Sequence, residues 1–255
     1  MRTLDVYHVF GSSVHQIERS SGSLDMYGDL METGETSGIQ VSSTSITSSI
    51  WTPTFVRTKA SASWKRALDI SAAALSLLFL LPLLLVVSVA IYLESGGPIL
   101  FRQRRTGLKG RVFMVFKFRT MTVIEDGPQI AHAVKGDVRV TRVGALLRAS
   151  SIDELPQLLN IFRGEMSFVG PRPHAVAHDE YYRAILPHYV DRFSVKPGLT
   201  GLAQIQGLRG EIKVLDDMSR RVEFDIDYAK FWSFRDDLLI ILRTIPILLT
   251  RENAY

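Results

Sequence analysis

Ile70-Ser-Ala-Ala-Ala-Leu-Ser-Leu-Leu-Phe-Leu-Leu-Pro-Leu-Leu-Leu-Val-Val-Ser-Val-Ala-Ile-Tyr-Leu93 carries no charged residue. At about 1.5 Å per residue, a helix of this length can cross a bilayer. Two features bear on whether it does. Pro82 stands mid-segment, where it removes a backbone hydrogen bond and bends a helix. Basic residues flank both ends: Arg57, Lys59, Lys65 and Arg66 before, then Arg102, Arg104, Arg105, Lys109 and Arg111 after. Positive charge marks the cytoplasmic side, so both flanks ask for the same side. A helix that enters, breaks near Pro82 and returns satisfies both features. A spanning helix with a proline kink remains open at this point, because membrane helices tolerate proline.

Upstream, residues 1–60 read as a disordered tail. Ser, Thr and Gly crowd the run Thr33 to Thr54, and its apolar residues are sparse and aperiodic. No apolar stretch follows Met1, so a signal peptide is not expected. Residues 64–96 hold the membrane helix, which Gly96-Gly97-Pro98 ends. Residues 97–255 form the remaining domain. Strand-like runs at Ile99–Arg102 and Val112–Met121 flank the turn-rich Thr106–Gly110. Alternation in the second run sends Phe116 and Phe118 to a core and puts Lys117 and Arg119 on the other face, about 6.6 Å apart. Residues 124–137 read as a loop. Helices are expected over 143–148, 154–162, 176–193 and 218–228. The segment 231–249 starts with aromatic residues and carries a narrow polar stripe, which suits a helix in the membrane interface; a core helix would have the same composition.

The chain has 255 residues, enough for one domain and a tail. A net charge of +4 suits anionic lipid, phosphorylated substrates or nucleic acid. The absence of cysteine excludes disulfides, Cys-based zinc sites and a thiol nucleophile, and fits a cytoplasm-facing protein.

Chemistry concentrates in Arg148-Ala-Ser-Ser-Ile-Asp-Glu-Leu-Pro-Gln157. Ser151 to Glu154 matches a capping box, which alone would explain Glu154. Pro156 would then fall where a helix needs a donor. A helix starting at Ile152 or Asp153 avoids that loss and puts Asp153 at the positive end, where phosphate is also attracted. Cations surround the pair in sequence. Pro171 and Pro173 fix the approach of Arg172, and Lys117, Arg119, Arg148 and Arg172 together form a candidate clamp for a diphosphate. His174 and His178 have helical metal-ligand spacing beside Asp179 but lack a third histidine. Arg221 and Asp225 have the spacing of a simple helical salt bridge.

Six runs, in order, resemble the bacterial sugar transferase family, the monotopic phosphoglycosyl transferases. They are Lys65-Arg66-Ala-Leu-Asp69, the apolar segment broken at Pro82, Phe116-Lys-Phe-Arg-Thr-Met121, Ser151-Ile-Asp-Glu-Leu-Pro-Gln157, Met166-Ser-Phe-Val-Gly-Pro-Arg-Pro173 and Lys196-Pro-Gly-Leu-Thr-Gly201. The resemblance implies an α+β monotopic membrane protein: a re-entrant helix broken at Pro82, a small β-hairpin and a mostly helical cytosolic domain with interfacial helices. It implies a location on the cytoplasmic face of the bacterial plasma membrane. It implies transfer of hexose-1-phosphate from a UDP-sugar to polyprenyl (undecaprenyl) phosphate, with release of UMP, as the first membrane step of exopolysaccharide synthesis. Asp153 is implied as the nucleophile of a covalent intermediate, with Glu154 assisting in proton and metal handling. Mg²⁺ is implied at Asp153 and Glu154, and Arg148 and Arg172 match phosphate- or nucleotide-binding positions. The run Gln206 to Glu211 and the segment Arg220 to Tyr228 look most like short hexose-transferring members, so galactose or glucose is expected. Leu202 departs from the Trp of many relatives, as does the long tail. No nucleic-acid partner is expected on this reading, and homo-oligomerisation is open. The competing expectation is a non-enzymatic adaptor, or an inactive regulatory relative, that binds anionic lipid or nucleic acid through a basic face.

Overall fold

The computed structural model describes residues 59–122, 137–210 and 214–250. The tail expected over 1–60 lies outside them except for its last two residues, as does the loop expected over 124–137 except for Asp137. Helix α1 runs Lys59–Ser95, so it begins ahead of the expected residue 64. Its portion Ser63–Ser95 has a mean hydropathy of 2.8 and is long and apolar enough to cross a membrane. Only 11% of its most apolar stretch is covered by protein, and Phe79 is 83% exposed. Uncovered aliphatic surface on this scale suits lipid and suggests a membrane location. Pro82 lies inside α1 and does not end it. The expected break is therefore not a helix end; the helix continues past the one donor that proline lacks.

Both halves of α1 dock on the same domain. Near its start, Arg66 donates to the carbonyls of Ile161 (2.6 Å) and Phe162 (2.7 Å). Buried Asp69 accepts from the Ser167 hydroxyl and the Phe168 amide, both at 3.1 Å. Lys65 pairs with Asp237. Ala73, Leu77 and Leu80 pack with Val115, Leu158, Ile161 and Met166. Beyond Pro82, Val87 and Ile91 pack with Phe118 and Leu147. At the far end Glu94 accepts the Val143 amide (3.1 Å), capping the next helix.

Strands β1 (Leu100–Thr106) and β2 (Val112–Phe118) form an antiparallel hairpin with Phe101 opposite Lys117. Helix α2 (Arg142–Ser150) follows, its first turn capped by the Thr141 hydroxyl accepting from the Gly144 amide. A short 3-10 turn, Ile152–Glu154, leads to α3 (Gln157–Arg163). Buried Asn160 joins α3 to the hairpin, accepting from the Phe116 amide (3.0 Å) and donating to the Met114 carbonyl (2.7 Å). Strand β3 (Ser167–Val169) precedes α4 (Val176–Ile185), and β4 (Gly198–Thr200) returns parallel to β3. The helix expected over 176–193 is divided. Pro187 and the left-handed His188 stop it, and a 3-10 turn Tyr189–Ser194 resumes. Strand β4 lies in the proline- and glycine-rich run Lys196 to Gly201 and is too short to announce itself. A side chain at Gly198 would sit 2.1 Å from the Gly170 amide, so only glycine lets the two strands meet.

Helix α5 (Leu202–Ile205), α6 (Leu215–Phe231) and α7 (Phe234–Thr250) complete the domain. Val169, Val195, Leu202, Tyr228, Ala229 and Ile240 form their shared core. Leu202 is thus a packing residue, which accounts for an aliphatic side chain there. Helix α7 buries Asp237 and Ile240 and leaves Phe234, Leu238, Ile241, Leu242 and Ile245 exposed. It shows both characters expected of it: one face docks on the core, and the other is bare and apolar. The fold mixes helix with two two-stranded sheets, as the α+β expectation holds.

Asp69→Ala should lower unfolding stability by about 1–3 kcal/mol, because it leaves the Phe168 amide buried without an acceptor. Asp69→Asn, which keeps an acceptor oxygen, should lose less. Denaturant unfolding in detergent checks this; equal losses would mean that charge, not the hydrogen bond, is what α1 supplies there.

Candidate active site

The Ile152–Glu154 turn begins where α2 ends. Ser151 closes α2 in a left-handed conformation (φ 57) and makes no capping bond with its side chain. The capping box expected from the sequence is therefore absent. The Ser151 hydroxyl accepts from Arg209 (2.9 Å), and the Glu154 carboxylate turns inward instead. Nor does Asp153 start an α-helix. It lies in the 3-10 turn, and Pro156 stands immediately before α3, where its missing donor costs nothing.

Glu154 is the centre of the site. Arg172 grips it with a fork, Nη2 to Oε1 at 2.5 Å and Nη1 to Oε2 at 3.2 Å. Lys117, from β2, donates to Oε1 at 3.0 Å. Arg209 stands 3.8 Å from Oε2. Three elements far apart in sequence thus close on one buried carboxylate. The Arg172 guanidinium and then the Lys117 ammonium outweigh the burial of Glu154 and hold its carboxyl well below the usual range. Burial lowers the Lys117 ammonium, opposed by Glu154. The Glu154 charge raises Arg172.

Asp153 differs from its neighbour. It is half-buried and takes no hydrogen bond or ion pair among the described residues. Burial pushes its carboxyl up to about 6, against the pull of Lys117, while the Glu154 charge pushes it further up. Arg148 and Arg172 are near enough to favour its anion. The result is an accessible carboxylate, desolvated yet ionised at neutral pH, beside a fixed set of cations. Such a group is suited to attack phosphorus.

Arg172 is held by its backbone. The carbonyls of Pro171, Arg172 and Pro173 accept from the Gly198 amide (2.9 Å), Arg192 (2.7 Å) and Arg105 (3.2 Å) respectively. Arg192 is fully buried and also holds Asp225 (2.7 and 3.1 Å), the Tyr189 hydroxyl (3.0 Å) and His174 Nδ1 (2.8 Å). The Tyr189 hydroxyl in turn donates to Asp179 (2.6 Å). Burial and the Arg192 charge keep His174 neutral. His174 is thus part of a buried scaffold, and no group of three His, Cys, Asp or Glu gathers into a metal site among the described residues. The expected Arg221–Asp225 bridge is also replaced: Asp225 serves Arg192, and Arg221 donates to the Gly210 carbonyl (3.0 Å).

Of the expected clamp, Lys117, Arg148 and Arg172 converge on the acid pair and Arg119 does not. Strand β2 ends at Phe118, so alternation no longer dictates where Arg119 points. It is buried and donates to the Ser95 hydroxyl (2.5 Å) and the Gly96 carbonyl, tying down the end of α1. Arg209 was not anticipated; it lies in a turn-rich run with no periodic signal.

A family profile described as "Bacterial sugar transferase" matches residues 60–251. The chain belongs to this family. It is 59% identical over 191 residues to a UDP-glucose:undecaprenyl-phosphate glucose-1-phosphate transferase of Caulobacter vibrioides, covering 75% of this chain and 72% of that one. A protein with the same description from Escherichia coli K12 is 49% identical over 191 residues, 75% of this chain but 41% of the longer relative. The exopolysaccharide production protein PSS of Rhizobium leguminosarum is 43% identical over 195 residues, 75% of this chain and 98% of that one. This sugar transferase is accordingly an enzyme, a phosphoglycosyl transferase. The family match and these relatives, not the distribution of charge, set the adaptor reading aside.

The two acids should respond oppositely to neutralisation. Asp153 has a folded value of about 6 against an ordinary 3.8, so the folded form holds the extra proton between them. Stability from this group falls as pH rises through that window and stays low above it. Asp153→Asn should therefore stabilise the transferase above pH 6 by up to about 3 kcal/mol, with the gain vanishing toward about pH 4. Glu154 is depressed, so its contribution is present at neutral pH and lost in acid; Glu154→Gln should cost about 3 kcal/mol at pH 7 and less as pH falls. Urea midpoints against pH decide both, and a destabilised Asp153→Asn at pH 8 would contradict this account of the site.

Proposed function

We propose that this transferase moves glucose-1-phosphate from UDP-glucose to polyprenyl phosphate, undecaprenyl phosphate in the bacterial inner membrane, and releases UMP. The observation that carries the reading is the contrast between the acids: Asp153 free and half-exposed, Glu154 locked by cations. Several relatives described as glucose-1-phosphate transferases favour glucose over galactose.

An Asp153 oxygen attacks the β-phosphorus of the donor. The bond from that phosphorus to the bridging oxygen breaks, and UMP leaves with the oxygen. The sugar-phosphate is now esterified to Asp153. A phosphate oxygen of the acceptor then attacks the same phosphorus, the Asp153 ester breaks, and the polyprenyl diphosphate sugar departs as the carboxylate re-forms. Lys117, Arg148 and Arg172 face the charge that builds on the equatorial oxygens. Glu154, held as an anion by its cations, positions Lys117 and Arg172 for the incoming phosphates. Splitting the transfer lets a soluble donor and a lipid acceptor use one nucleophile in turn.

Magnesium fits Asp153, whose oxygens are unclaimed among the described residues, together with oxygens of the donor diphosphate. Glu154 fits less well, since its oxygens already accept from Arg172 and Lys117. Once bound, the ion would neutralise the diphosphate and make phosphorus more electrophilic.

The membrane helix reads best as re-entrant. Both flanks of Pro82 contact one domain, which cannot lie on two sides of a bilayer. The basic flanks favour the cytoplasmic face for that domain and its site.

Mixed with UDP-glucose and Mg²⁺ but no acceptor, the enzyme should release about one UMP per active site and gain a hexose-phosphate on Asp153, detectable by mass spectrometry. Asp153→Asn should do neither, and turnover in that variant would remove Asp153 as nucleophile. The acid limb of kcat/KM should fall near pH 6, where Asp153 protonates.

Topology has a separate readout. The chain has no cysteine, so Ala60→Cys and Lys109→Cys can each be labelled alone. Both should react from the cytoplasmic side; opposite sides would mean a spanning helix.

A further inference from the structure

A cleft of about 230 Å³ opens beside the acid pair, between the Ser151–Leu155 stretch, α5 and α7. Its two ends differ in chemistry. Ser151, Glu154 and Arg209 line one end, and Ile205, Ile241 and Ile245 belong to its aliphatic wall. Among the described residues Arg209 uses one nitrogen on Ser151 and Glu154, which leaves most of its five donor positions for another oxygen anion. Buried Gln204 also lines the cleft, and its carbonyl oxygen has no partner among the described residues. Ile241 and Ile245 are 39% and 53% exposed, so the aliphatic end runs out onto the bare apolar face of α7.

We propose that this cleft seats the lipid acceptor, with its phosphate at Arg209 next to Asp153 and its first isoprene units along Ile205, Ile241 and Ile245. The inference rests on the reaction proposed above and adds where the second substrate binds. Polarity chooses the occupant. A nucleotide or a hexose carries more hydroxyls than the few polar groups set among these aliphatic walls, Thr200, Thr244 and Gln204, can satisfy. A phosphate on a branched hydrocarbon matches both ends at once. Size agrees as well: a cavity of about 150 Å³ holds a benzene-sized guest, so this one takes one or two isoprene units. The rest of the chain stays in the lipid that α7 faces. The donor's diphosphate then approaches Lys117, Arg148 and Arg172, and the two substrates reach Asp153 from different directions.

A larger cleft of about 660 Å³ lies between α1 and the hairpin, lined by Leu77, Leu84 and Pro156 among others. None of the acids or cations of the Glu154 cluster lines it. It is the competing seat, and the experiment includes it.

Ile241→Trp and Ile245→Trp fill the cleft with a side chain at home in a membrane interface. Leu238→Trp, on the exposed face of the same helix but not lining the cleft, is the control. The probe is undecaprenyl phosphate in nanodiscs, with the enzyme purified full-length. The two filling variants should raise the acceptor KM about tenfold or more and slow discharge of the adduct, while UMP release without acceptor matches the parent. The control should match the parent throughout. An unchanged acceptor KM in both filling variants overturns the proposal. So does an equal loss of both half-reactions, and so does a rise in acceptor KM seen only with Leu84→Trp. If the parent forms no adduct, the two-step reading fails instead, and the steady-state acceptor KM still decides the cleft.

Discussion

One buried carboxylate organises this protein. Glu154 brings together a strand residue (Lys117), a loop residue (Arg172) and a turn residue (Arg209) that have no local reason to meet. Each of these cations would be costly to bury alone, and Glu154 would be costly to bury without them. Their mutual neutralisation is what permits a dense positive cluster to exist in the folded state before any phosphate arrives. The arrangement also separates the roles of two adjacent acids by environment alone. Glu154 is stabilised as an anion by direct pairing, whereas Asp153 is desolvated without a partner among the described residues.

The cluster is only as exact as the backbone behind it. Arg172 lies between two prolines, and all three carbonyls of that tripeptide are held by other segments. Arg192 holds the middle one, from a position where its guanidinium has almost no exposure. Its charge is met by Asp225 and Asp179, so the scaffold is itself a balanced set of ions. The membrane helix is tied into the same frame. Asp69 engages β3 at one end of α1, and Arg119 engages the other end directly after β2 delivers Lys117. Helix α1 and the site thus share β2 and β3 as a common frame.

What the sequence made legible follows from range. Asp153 and Glu154 stood out because Pro156 restricts where a helix can start, a local constraint. Arg172 stood out because the flanking prolines are local too. Helix α1 was readable from a charge-free run, and α7 from its aromatic start and apolar face. Lys117 was placed correctly by alternation and Arg119 was not, because alternation is a property of the strand and the strand ends between them. Arg209 and Arg192 carried no signal, since their importance comes from partners up to 58 residues away in the chain. The expected Arg221–Asp225 pair shows the same limit from the other side. Helical spacing made it available, but Arg192, fully buried across the core, engages Asp225 with two nitrogens, while Arg221 donates to the Gly210 carbonyl.

On the mechanism proposed above, Asp153 has to serve two substrates of opposite character. A diphosphate needs fixed charge and an isoprenoid needs a hydrocarbon surface, and neither environment tolerates the other in bulk. Here they meet along a seam one residue wide. Lys117 and Arg172 are on one side, the aliphatic wall of α7 begins on the other, and Glu154 and Arg209 border both. A nucleophile on that seam can accept a phosphoryl group from the charged side and yield it to the apolar side without moving. Burial enough to lift its carboxyl to about 6, yet not enough to keep it protonated at neutral pH, is what a seam of this kind imposes on an acid placed in it.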